Sequence, residues 1–99
     1  MTATRTERKF VLVLASRSVL RRAEELGIVQ PEIQVTDSIH AGRKRRTLPG
    51  GGKLDKDERS VVLEDGTVVV VRRGRGIFDQ RKAFHIVRFV PRRSAEPRR

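Results

Sequence analysis

Residues 60–73 read S-V-V-L-E-D-G-T-V-V-V-V-R-R. Two β-branched runs flank Asp65-Gly66, a dipeptide that tolerates the positive φ angles of a two-residue type I′ turn. Val61, Val62 and Leu63 lead in, and residues 67–71 lead out. The reading is a β-hairpin. Its second strand ends on Arg72 and Arg73, followed by Gly74-Arg75-Gly76, so the best-specified element delivers positive charge at one end.

Working outward, residues 83–90 (A-F-H-I-V-R-F-V) read as a further strand, stopped by Pro91. Upstream, K-F-V-L-V-L over 9–14 has the length and β-branched content of a buried strand. Ser16 or Ser18 then offers a helix N-cap. Val19, Leu20, Ala23 and Leu26 follow on one helical face, and Gly27 stands at the C-cap with Ile28 as its apolar closure. Residues 29–41 are harder. Pro31-Glu32 looks like a first helical turn and Gly42 like an end, but I-Q-V alternates like a strand. The expectation is a short helix or turn ahead of a strand. Pro49 and three following glycines require a loop. Residues 53–59 alternate charges and read as exposed.

The order predicts an α+β fold: a small antiparallel sheet, made of the central hairpin and the C-terminal strand, packed against one or two helices. Residues 1–8 read as a flexible N-terminus, 9–90 as a single domain and 91–99 as a disordered basic tail.

Composition narrows the partners. The 99 residues carry 23 basic and 12 acidic side chains, a net charge of +11. Such an excess steers a protein to polyanions, with nucleic acid (RNA or DNA) ahead of an acidic protein partner. There is no cysteine, which excludes disulfides and thiolate metal sites and fits a cytoplasmic protein. The apolar run at 10–15 is far short of the roughly 20 residues that span a bilayer, so no membrane role is expected. No P-loop, dinucleotide fingerprint or metal-ligand spacing is present, and no cofactor is expected.

Arginine dominates the basic residues, and its planar fork matches phosphate oxygens. The candidate nucleic-acid contacts are Arg43, Lys44, Arg45, Arg46, Arg72, Arg73, Arg75 and Arg81, with Arg92, Arg93, Arg98 and Arg99 in the tail. R-R-G-R-G at 72–76 resembles a short arginine–glycine RNA-contacting element, or is simply a turn. Aromatic stacking is poorly supplied: Phe78 sits in a basic context, while Phe84 and Phe89 read as core. A histidine can act as acid or base in RNA cleavage. His85, flanked by Lys82 and Arg88, is the catalytic candidate, with a half-buried strand histidine as the plainer reading. His40 has no comparable context.

The layout resembles the compact ribonuclease toxins of the RelE and BrnT kind. The resemblance rests on R-R-A-E-E-L-G-I (21–28) before Pro31-Glu32, with V-V-L-E-D-G-T-V-V-V-V later. It implies that His85, Arg88, Lys82, Arg73 and Arg45 lie near an RNA phosphate. The chain departs from that family in having no Tyr. A second resemblance competes: 16–28 is similar to a helix of a helix-turn-helix unit, with the hairpin as its wing. Three functions follow as expectations: a phosphate-contacting nucleic-acid binder, a toxin-like ribonuclease, or a phage or mobile-element structural or inhibitory protein gripping an acidic partner.

Overall fold

The computed structural model describes residues 4–8, 11–74 and 82–91. In chain order they form β1 (Thr4–Arg8), β2 (Val11–Ala15), α1 (Arg17–Glu25), α2 (Pro31–His40), β3 (Lys44–Arg45), β4 (Glu58–Val62), β5 (Val68–Arg73) and β6 (Lys82–Val90). The expected α+β class holds. The sheet has six strands in the order β1-β2-β6-β5-β4-β3.

The hairpin is β4 and β5, and it begins two residues earlier than expected, at Glu58. Its turn also differs. The Gly66 N–H donates to the Leu63 carbonyl at 3.0 Å, and the Leu63 N–H donates to the Thr67 carbonyl at 2.8 Å. Gly66 has φ 94°, whereas Asp65 stays at negative φ. The loop is therefore Glu64-Asp65-Gly66, a type I turn closed by a glycine bulge, and not a two-residue type I′ turn. The Asp65 carboxylate instead accepts the Thr67 N–H at 2.9 Å, a side-chain bond that holds the turn in this form.

β6 pairs antiparallel with β5 and parallel with β2. The sheet is thus mixed, which corrects the expectation of an antiparallel one. The parallel pairing joins residues some 70 positions apart, and nothing local in either strand announces it. Thr4–Arg8, expected within a flexible N-terminus, pairs antiparallel with β2 as an edge strand.

α1 forms where its signals predict. Ser16 is the N-cap, its Oγ accepting the Val19 N–H at 3.3 Å. Gly27 takes φ 77°, and the Ile28 N–H reaches back to the Ala23 carbonyl at 2.8 Å. That bond and the Gly27 N–H to Glu24 carbonyl make a Schellman end. α2 corrects the reading of 29–41: one ten-residue helix replaces the short helix or turn and strand. Its stripe was masked because its buried side includes Glu32, Thr36 and Ser38 beside Val35. Thr36 tolerates complete burial because its hydroxyl donates to the Glu32 carbonyl at 2.7 Å. Gly42, at φ 81°, ends α2 in the same way that Gly27 ends α1.

Both helices pack on one face of the sheet: α1 on β6, and α2 on β1, β2 and β4. The core between them joins Val11, Val13, Val61, Val69, Val71, Phe84, Ile86 and Phe89 of the sheet to Ala23, Ile28 and Val35. Burying a valine such as Val35 contributes about 1.5–3 kcal/mol, and this contact is what α2 gives to the shared core.

Candidate functional site

In a strand, neighbouring side chains point to opposite faces, so every run of consecutive basic residues is divided. The register says how. On the helix face, Lys44 pairs with Val61, Arg59 with Val71, Arg73 with Phe84 and Lys82 with Val11. On the outer face, Arg45 pairs with Ser60, Arg72 with both Glu58 and His85, and Arg88 with Val70. Lys82 and Arg73 therefore lie on one face and His85, Arg88 and Arg45 on the other. The catalytic set His85, Arg88 and Lys82 is not brought together. A one-residue irregularity between Val70 and Val71 puts both Arg88 and His85 on the outer face, although they are three apart.

The outer face is organised by Glu58, which is 5% exposed. Its Oε2 lies 3.2 Å from Arg72 and 3.8 Å from Arg88, and its Oε1 accepts the Asp55 N–H at 3.1 Å. Arg72 also reaches the Asp55 carboxylate at 3.7 Å. Arg45 folds back, donating to the Gly42 carbonyl at 2.6 Å. The connection 46–57 crosses part of this face, where the Ser60 hydroxyl donates to the Thr47 carbonyl. His85 lies against the Gly74 backbone, where an added Cβ would stand 3.1 Å from its Nε2. A side chain at Gly74 would therefore need the His85 ring to give way by a few tenths of an ångström. The Gly74 N–H donates to the Ala83 carbonyl at 2.7 Å.

The helix face is different. Lys44 is half-buried, with its Nζ 5.0 Å from the centre of the buried Phe84 ring, within cation–π range. Its pKa is pushed below the ordinary 10.5, first by burial and then by Lys82, Arg59, Arg73 and Arg46. Five cationic groups thus share one neighbourhood, and no carboxylate of the described residues is paired with any of them. Arg59 donates to the Lys56 and Glu58 carbonyls at 2.8 and 2.6 Å, which orients its guanidinium without cancelling its charge.

Of the other candidates, Arg43 lines a groove with Asp37 and Glu64, away from this cluster. His40 is exposed in the last turn of α2. Arg75, Phe78, Arg81 and the tail arginines lie outside the described residues. The sequence reading missed Arg59, taken as part of a charged connection. Its place two residues before Val61 on the same strand face was the available signal. Glu58 was missed for the same reason.

Among the described residues no group of three His, Cys, Asp or Glu could hold a metal ion, and no helix is long and apolar enough to cross a membrane. Comparisons of the chain with protein-family models, curated proteins and solved structures find no match.

Proposed function

We propose that the protein binds nucleic acid through phosphate contacts made by Lys44, Arg59, Arg73 and Lys82, with Arg46 beside them. One observation carries this: like charges converge on a half-buried ammonium, and among the described residues no carboxylate is paired with them. Such an arrangement costs folding free energy, and a polyanion is the partner that relieves it. The arginines add bidentate geometry suited to phosphate oxygens. The net charge of +11 brings the ligand in by long-range attraction.

The ribonuclease reading needs His85, Arg88 and Lys82 around one phosphate, and the register separates them. Binding without cleavage is therefore the function put forward. Fluorescence anisotropy with labelled oligonucleotides tests it. Affinity should be clear at low salt and fall steeply as salt rises, because bound phosphates release counter-ions. RNA incubated with the protein should stay intact. Absence of binding at low salt would sink the proposal, and RNA fragmentation that His85→Ala abolishes would replace it with the enzyme.

A further inference from the structure

The cations of the helix face stand in a line. Lys44 is opposite Val61, two residues from Arg59 on β4. Arg59 is opposite Val71, two residues from Arg73 on β5, and Arg73 is opposite Phe84, two residues from Lys82 on β6. Each is the diagonal neighbour of the next, one strand across and two residues along. Diagonal neighbours in a sheet are about 7–8 Å apart, so the line runs roughly 20–25 Å across β3, β4, β5 and β6. On its side nearer the hairpin turn, the same face is apolar and buried: Val61, Val69, Val71 and Ile86. The line is where the helix-covered core stops. A boundary of this kind needs only polar residues, but all four here are cations.

Resting on the proposed function, we infer that the ligand is a single strand of nucleic acid, drawn out along this line with successive phosphates on successive cations. A strand in a duplex circles the axis once in about 34–36 Å, so over 20–25 Å it turns through more than half a revolution and leaves a straight row of contacts. A free strand has no partner forcing that winding. Among the described residues, recognition is by backbone. The described phenylalanines Phe84 and Phe89 are 1% and 7% exposed and offer no ring to a base. Sequence preference is accordingly slight.

The salt dependence of binding to short single strands measures this directly. Four phosphates at about 0.7 counter-ions each give a slope of log K against log salt of about −3. The exposed residues Arg73 and Lys82 are the cleanest to change: Arg73→Gln or Lys82→Gln should each flatten the slope by about 0.7, and Arg73→Lys should restore it. Arg17→Gln and Arg21→Gln, on the exposed side of α1, should leave it alone, with thermal melts showing that every variant folds. DNA and RNA strands should give similar slopes, and a duplex of equal phosphate count should bind more weakly. A duplex that binds more tightly, or α1 variants that flatten the slope as much as the stripe variants, overturns the single-strand stripe while leaving nucleic-acid binding standing. No binding of strand or duplex at low salt removes both.

Discussion

The two faces of this sheet each carry four basic residues, drawn from neighbouring strands. Lys44, Arg59, Arg73 and Lys82 stand on one, and Arg45, Arg72, His85 and Arg88 on the other. Their electrostatic fates are opposite. On the outer face a single buried carboxylate, Glu58, gathers the half-exposed Arg72 and Arg88, so part of the charge there is offset within the protein. On the helix face the cations meet one another. Charge count alone therefore says little about where a polyanion can bind. What matters is which side of the pleat the acid falls on, and Glu58 and Arg59 are neighbours in sequence that fall on different sides.

The largest expected effect comes from removing that acid. Glu58→Gln leaves two half-exposed arginines without their buried partner and should cost about 2 kcal/mol, less than a fully buried pair would. For a domain of this size that lowers the melting temperature by roughly 8–16 °C, readable in a thermal melt. The same variant should raise oligonucleotide affinity by freeing the outer face. An unchanged melting temperature and affinity would break the comparison. Phe84→Leu comes next. It keeps a buried apolar side chain but removes the ring beneath Lys44, at a cost of about 1.5 kcal/mol in denaturant unfolding. Since no charge is lost, the salt slope of binding should hold, separating support from contact.

The smallest effect is the most diagnostic. Lys44→Met removes a charge that burial and like neighbours disfavour, and should stabilise the protein by about 0.5 kcal/mol at neutral pH. Lys44 has a folded pKa below its ordinary 10.5. Below that folded value it is charged in both states, and the full burden remains. Between the two values the unfolded chain holds more protons, so wild-type stability gains with rising pH and the advantage of Lys44→Met narrows. Chemical denaturation at a series of pH values reads this out. A variant less stable than wild type would mean that the ring contact outweighs the repulsion.

How much of this was legible in the sequence depends on whether the signal was local. Ser16, Gly27 and Ile28 bracket α1 by backbone hydrogen bonds a few residues long, and they read correctly. Asp65-Gly66 marked the hairpin, but the turn took in Glu64 because the Asp65 side chain and Gly66 together favour a bulged loop. α2 was obscured by Thr36, a polar residue whose burial is paid for by a bond to its own helix. The parallel contact of β2 with β6 depends on distant residues and leaves no periodicity in either. The site suffered most. Basic residues were grouped by adjacency, as in Arg43 to Arg46 or Arg72 with Arg73, and a period of two deals such groups onto both faces. Arg59, isolated in sequence, belongs with Lys44, Arg73 and Lys82 only once the strands are aligned.

The position of β6 has a consequence for assembly. It follows every other described strand in the chain, yet it lies between β2, which alternates valine and leucine, and β5, which opens on four valines. Until β6 arrives, both neighbours present an open hydrogen-bonding edge to solvent and to other chains. A chain in which β6 has not docked is open to edge-to-edge association, and docking β6 removes both edges. A fragment stopping at Gly74 should associate rather than fold, with light scattering rising as its concentration does, whereas the chain carried through Val90 closes both edges at once.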